Sequence, residues 1–362
     1  MSEFAARIRS VQQRMQDRGV DALCLSVGSD LPYLTGYRAM PLERLTMFVL
    51  PVEGSGTIVV PSLEVPRVET EGMPFAVQGW GETEDPITIV DGHLGSAGNV
   101  LIGDETWSRF LIDLQGVRWS RSFGKAGELM ADLRIHKSAA EIAKLRSAAA
   151  TVDDVVGQLE DVQFSGRTER DVAREVTERT TADGHDTMDF WIVASGPNGA
   201  SPHHEPGDRV IELGDAVVVD FGGHQDGYAS DTTRMFVVGL APYGFDDAYA
   251  VLRRAQAAAV DFVRPGVIAE SVDAVARDII TEAGYGDLFI HRTGHGIGMD
   301  THEHPYLVEG NHQIIEEGMV FSIEPGIYAP GEWGMRIEDI VAVTADGVER
   351  LNRSDRAYRV VT

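Results

Sequence analysis

Apolar positions change period along this chain, first at helical spacing and then in short runs. Phe4, Ile8, Val11 and Met15 recur among arginines and glutamines, which predicts an amphipathic first helix over 3–18, stopped by Gly19. Apolar runs at 22–26, 45–50, 57–60 and 100–102, the last followed by helix-like 107–114, alternate with turn signals and predict an α/β domain. The character changes near 134–138, where Ser138-Ala-Ala-Glu141 places a capping box ahead of a long alanine-rich helix. The domain boundary goes there, giving domains 1–134 and 135–362. Beyond it Thr168-Glu-Arg-Asp171 opens a helix over about 168–184, and strands follow at about 189–195 and 216–221. Two further helices, 245–263 and 269–283, are closed by Pro265-Gly266 and by Gly284. Val- and Ile-rich strands are expected at about 319–324 and 335–343, which makes the second domain α+β, with no short repeat.

Composition narrows the chemistry. The 362 residues are 43% hydrophobic and 24% charged, an ordinary globular balance. No apolar run approaches the roughly 20 residues of a membrane span, and the N-terminus has no signal-peptide core, so a cytoplasmic location is expected. A net charge of −26 argues against nucleic acid and anionic membranes as partners. The single cysteine, Cys24, sits in an apolar run and excludes both an intrachain disulfide and a zinc–thiolate cluster. No lysine follows Lys144, so neither a Walker-type phosphate loop nor a Schiff-base lysine belongs to the second domain beyond that point.

Four of the eleven histidines fall in the stretch His291 to His304, where glycines at 294, 296 and 298 flank His295. Such density points to metal or proton chemistry, and the glycines suggest backbone conformations that a Cβ would resist. Acids complete the pattern. Asp220 ends the run Ala216-Val-Val-Val, Asp231 precedes Thr-Thr-Arg-Met-Phe-Val, and residues 222–229 between them predict a hairpin that joins the two. Glu324 and Glu338 likewise lie in β-rich apolar runs. Buried carboxylates about 4 Å apart repel by about 4 kcal/mol at an effective dielectric of 20, and two divalent cations would cancel four such charges. Carboxylates plus one imidazole suit Mn²⁺, Co²⁺ or Zn²⁺. Glu205, Glu303 and His304 are read as solvated and Asp226 as a turn residue.

At these residues the sequence resembles the pita-bread metallopeptidases, which include methionine aminopeptidase, Xaa-Pro aminopeptidase and prolidase. The resemblance implies an α+β pita-bread catalytic domain over 135–362 and a smaller α/β creatinase-type N-terminal domain over 1–134. It implies that Asp220, Asp231, His295, Glu324 and Glu338 hold two divalent metal ions, Mn²⁺ first with Co²⁺ and Zn²⁺ as alternatives, and that Asp231 and Glu338 bridge them. It also makes Glu324, His302 and His203 catalytic and assigns His291, Tyr328 and Arg336 to the substrate side of the site. Phe190 and Tyr228 are candidates for the apolar surface that recognises a proline ring.

The implied reaction is hydrolysis of the Xaa-Pro bond by a hydroxide shared between two metal ions, with a small peptide carrying proline at its second position as substrate. A dipeptidase is the first reading and an Xaa-Pro aminopeptidase acting on longer peptides the second. Methionine aminopeptidases lack a creatinase-type domain, and creatinase does not keep the acids. A non-catalytic pita-bread binding protein is a distant third reading, because such proteins usually lose the ligands. Tyr306 stands where some archaeal prolidases carry an arginine, which leaves the substrate carboxylate without an assigned partner. Relatives are commonly homodimers, and a homodimer is expected.

Overall fold

The computed structural model describes residues 2–362. The chain divides into two compact units, the first ending at Arg134 and the second running Ile135–Thr362.

In the first unit, helix α1 (Glu3–Asp17) starts at Ser2, whose hydroxyl accepts from the Ala5 amide at 3.3 Å, and buries Ile8, Val11 and Met15. Gly19 takes φ +63° just beyond its end. Strands β1 (Ala22–Leu25), β2 (Met47–Pro51), β3 (Gly56–Pro61), β4 (Phe75–Trp80), β5 (Asn99–Ile102) and β6 (Ser122–Lys125) form one mixed sheet in the order β4-β3-β2-β1-β5-β6. Helices α2 (Asp30–Thr35), α3 (Pro86–Leu94), α4 (Ser108–Val117) and α5 (Gly127–Arg134) complete the α/β unit. Cys24 is fully buried in β1.

The second unit opens with α6 (Ala139–Gln158), which carries both halves of the expected capping box between Ser138 and Glu141. After α7 (Glu169–Ala182) come β7 (Thr187–Ser195), β8 (Ala216–Gln225), the short β9 (Tyr228–Ala229) and β10 (Thr232–Val238). Helices α8 (Phe245–Phe262) and α9 (Ala269–Glu282) follow. The remaining strands are β11 (Gly294–Gly296), β12 (Glu303–Leu307), β13 (Val320–Ile323), β14 (Gly326–Ala329), β15 (Trp333–Arg336), β16 (Asp339–Val343), β17 (Val348–Arg350) and β18 (Arg359–Val361). They build the sheets β18-β10-β8-β7 and β12-β11-β13-β16-β17 and the hairpin β14-β15.

Alternation along β8 and β10 sorts the two faces of their sheet. Val217, Val219 and Phe221, with Phe236 and Val238, pack against the buried faces of α6 and α7. Ala216, Val218, Met235 and Val237 face the second core, shared with α8, α9 and β13. The strand expected over 335–343 is broken. Residues up to Arg336 pair with β14, and those from Asp339 pair with β13, so the chain changes sheets at Ile337 and Glu338. The unit repeats one local design, with Gly166 donating to Ile211 O at 2.9 Å ahead of α7 and Gly266 to Ile315 O at 2.9 Å ahead of α9.

Candidate active site

The predicted hairpin exists, with Thr233 of β10 paired in register to Asp220 of β8. By the alternation that turns Val218 and Met235 toward the second core, Asp220 and Thr233 share that face, and Asp231, two residues before Thr233, joins them. Glu324 follows β13, Glu338 sits where the chain changes sheets, and His295 is on β11 between β12 and β13. The glycines around His295 serve a different purpose from the one expected, since none of the three has positive φ. A Cβ on Gly294 would lie 2.0 Å from Ser322 O, and one on Gly296 would lie 2.2 Å from His304 O. They let neighbouring backbones close on β11 from both sides.

Ligand atoms of Asp231, His295 and Glu338 all lie within 4.8 Å of one another. His295 Nε2 is 3.6 Å from Asp231 Oδ2 and 3.3 Å from Glu324 Oε1. Its Nδ1 lies 3.1 Å from the Gly296 carbonyl, which can only accept, so Nδ1 carries the proton and Nε2 turns a lone pair toward the acids. Burial, then the neighbouring His302, pushes the His295 pKa down to about 3, which keeps the ring neutral. Burial followed by the charges of the other acids drives Asp231 and Glu338 well above the usual carboxylate range. Burial and Asp220 push Glu324 up to about 7 against the pull of Arg336 and Arg292. Asp220 Oδ1 and Glu338 Oε1 are buried without a hydrogen-bond partner. Acids that crowd together with unused oxygens, beside a neutral imidazole lone pair, fit a pair of hard to borderline divalent cations.

Behind the acids, Arg336 pairs Nη2 with Asp220 and donates from Nε to Thr233 Oγ1 at 3.0 Å and from Nη1 to the Tyr328 hydroxyl at 2.7 Å. The Tyr328 hydroxyl in turn donates to His291 Nε2 at 2.8 Å, because His291 Nδ1 is committed to the Arg292 carbonyl at 2.7 Å. Burial, then Arg336, lowers the His291 pKa to about 4, so this chain runs through a neutral ring.

The acids open into a cavity of about 1060 Å³ whose lining includes His203, His291, Arg292, His302, Phe190 and Trp191. The His302 ring lies 4.0 Å from that of His295. Tyr328 is buried behind this lining and reaches the cavity through Arg336 and His291. Tyr228 is not at the cavity. It is buried and donates to Glu141 Oε1 at 3.0 Å, so only Phe190 of the two aromatic candidates has access. Glu303, expected in solvent, is paired with the buried Lys137 at 2.7 Å. Asp226 takes φ +50° in the β8–β9 turn.

Arg292 was not singled out from the sequence. Its guanidinium stacks over the Tyr306 ring at 4.5 Å, and among the described residues it is the arginine lining the cavity that no carboxylate neutralises, since Arg336 is committed to Asp220. Its place beside His291 was the one available signal.

Residues 143–345 match the metallopeptidase family M24, and residues 7–147 match the creatinase/prolidase N-terminal domain. The crystal structure of dipeptidase PepE from Mycobacterium ulcerans is 42% identical, with 99% of this chain and 98% of that one covered and a TM-score of 0.93. A prolidase from Thermococcus sibiricus is 37% identical over 99% of each chain, with a TM-score of 0.94. The Xaa-Pro dipeptidase of Lactobacillus helveticus is 34% identical over 97% of this chain and 98% of its own length.

Proposed function

The chain belongs to metallopeptidase family M24, and on that premise we propose that it hydrolyses the Xaa-Pro bond of dipeptides as a dinuclear metallo-exopeptidase of pita-bread fold. The observation that carries this reading is the cluster of buried Asp220, Asp231, Glu338 and His295 with the partly buried Glu324, in which Asp220 and Glu338 keep unused oxygens, opening into the cavity. Asp220, Asp231, His295, Glu324 and Glu338 would hold two divalent cations. When bound, the cations supply Lewis acidity that polarises the scissile carbonyl and lowers the pKa of water.

The remaining work belongs to side chains. Arg336 fixes Asp220, and the Tyr328–His291 chain fixes Arg336. Glu324, whose Oε1 accepts from Ser322 Oγ at 3.3 Å, carries a proton to the leaving proline nitrogen. His302 and His203 hydrogen-bond the peptide and the oxyanion that forms from its carbonyl. Phe190 offers an apolar surface to the substrate. Manganese as the physiological ion, a homodimer and a cytoplasmic location remain part of this proposal. The donor set suits manganese as it does cobalt and zinc, and the homodimer is carried over from the family resemblance. Among the described residues no helix is long and apolar enough to cross a membrane.

Arg292 favours dipeptides, because a free guanidinium in the cavity matches the carboxylate that follows proline only when the substrate ends there. A cavity of this volume also has room for longer peptides, which keeps Xaa-Pro aminopeptidase as the second reading. Assays of Ala-Pro, Ala-Pro-Ala and a Met-Ala peptide with Mn²⁺, Co²⁺ and Zn²⁺ separate them. Cleavage of Ala-Pro alone is expected, and cleavage of Ala-Pro-Ala without Ala-Pro would overturn the dipeptidase reading. Arg292→Ala should raise KM for Ala-Pro by about 10- to 100-fold, the range for one hydrogen-bonded charge, and leave that for Ala-Pro amide nearly unchanged.

A further inference from the structure

The carboxylate of Glu169, at the start of α7, is fully buried yet takes no arginine. Arg209, whose guanidinium feels the Glu169 charge, donates to Ser195 Oγ at 2.6 Å and to Asp215 instead. Glu169 is satisfied by the last residue of β7 and the segment that follows it. It accepts from the Ser195 amide and hydroxyl at 2.7 Å each, from Asn198 Nδ2 at 3.0 Å, from His204 Nε2 at 2.8 Å and from the Gly207 amide at 3.3 Å. These hydrogen bonds hold it below the usual carboxylate range although burial works to raise it. From the other side the segment rests on β15, where a Cβ on Gly199 would meet Gly334 N at 2.9 Å.

We propose that His204 is a positioning residue that, held by the buried Glu169 carboxylate, fixes the backbone rotation that aims its neighbour His203 into the cavity. The inference rests on the reading of His203 as a substrate-binding group. A second observation supports it, because the other half of the unit uses the same device. Asp273, buried near the start of α9, accepts from the Thr293 amide at 2.9 Å and its hydroxyl at 2.8 Å, and Thr293 lies between His291 and His295; unlike Glu169 it also accepts from Arg277, at 2.8 and 3.0 Å, so the shared part of the device is the clamp on the hydroxyl residue. In each half a buried helix acid clamps a hydroxyl residue on the segment that bears the site's histidines. His204 itself borders the cavity, but its Nε2 is held by Glu169 at 2.8 Å, which gives it a positioning role rather than a contact with substrate.

The test is a double-mutant cycle on the full Mn²⁺-loaded chain with Ala-Pro, comparing His203→Ala, His204→Ala and the double variant, with calorimetric Mn²⁺ titration alongside. His204→Ala should raise KM about tenfold, with a smaller change in kcat and Mn²⁺ affinity within twofold, the size of one lost hydrogen bond to a charged group. The double variant should be no worse than His203→Ala within twofold, since His204 acts only through His203. His204→Gln, whose amide can still reach Glu169, should recover most of the loss, and His204→Asn, which is too short, should not; the pair replaces alanine if that variant does not fold. Losses that multiply in the double variant, or a His204→Ala enzyme with full kcat/KM beside an impaired His203→Ala, would overturn the proposal alone. An unimpaired His203→Ala would remove the reading of His203 and the proposal with it.

Discussion

Glu338 and Asp339 are sequence neighbours and equally buried, at 1% and 0% exposure, yet their surroundings are opposite. Asp339 accepts from Arg234 and Arg350 at 2.7 Å each, from Arg356 at 2.8 Å and from Gln256 at 3.0 Å. Burial works to raise its pKa, but Arg234 and Arg356 outweigh that and hold it below the usual range. Glu338 has Thr233 Oγ1 at 2.8 Å on one oxygen, nothing on the other, and acids for neighbours. Both carboxylates cost free energy to bury. The arginine cage is complete as soon as the chain folds, whereas the acid cluster is a charge imbalance maintained by the fold, which protons or bound cations relieve.

The largest effect should come from the acid cluster. Asp231→Asn should cut Ala-Pro turnover by more than about 100-fold, since even outer-shell changes cost 10- to 100-fold in metal affinity or activity. It should also lower the Mn²⁺ content without destabilising the metal-free chain, as read by urea unfolding. The same swap in the cage should do the reverse. Asp339→Asn strips the fully buried Arg234 of its anion and should cost about 3–5 kcal/mol of stability. If both swaps destabilise the metal-free chain alike, the contrast between the two regions fails.

Proton linkage sharpens the comparison at smaller amplitude. Asp231, Glu324 and Glu338 have raised folded-state pKa values, so the unfolded chain releases their protons first as pH rises. Their destabilisation is absent below the ordinary carboxylate range of roughly pH 4 and grows as pH climbs toward the folded values. Below about pH 6.5 the buried rings of His291 and His295, kept neutral in the folded chain, work the other way and add stability as pH rises. The metal-free chain should therefore melt at progressively lower temperature only from about pH 7 to about pH 8, and Mn²⁺ should remove that slope. Asp339 has a depressed folded-state pKa, so its contribution is present above the ordinary range and is lost only as pH falls through the folded value. The smallest effect belongs to Glu349, which meets Arg146 through two bonds of 2.9 Å at a half-exposed site. Glu349→Gln should cost less than about 1 kcal/mol.

Part of this was legible in the sequence itself: the turn signals between Asp220 and Asp231 predict the hairpin that brings the two acids together, and the capping box at Ser138 fixes the start of α6 locally. The full ligand set and the roles of the histidines came instead from the resemblance to the pita-bread metallopeptidases. What escaped depended on partners distant in sequence. The change of sheets at Ile337 and Glu338 comes from β14 and β13 competing for one apolar run. The glycines beside His295 answer to Ser322 and His304 rather than to their own φ. Glu169 reads as an ordinary first-turn acid until Ser195 and His204 arrive, and Arg292 differs from Arg336 in making no ion pair with an acid, although its charge reaches Glu324.

The most direct test of the account is a count of Mn²⁺ bound per chain by calorimetric titration, with Ala-Pro hydrolysis followed at each addition. Two ions per chain with turnover rising as they bind, and neither in Asp231→Asn, is the predicted result. Ala-Pro turnover that persists in excess chelator, or Mn²⁺ binding that Asp231→Asn leaves intact, would contradict it.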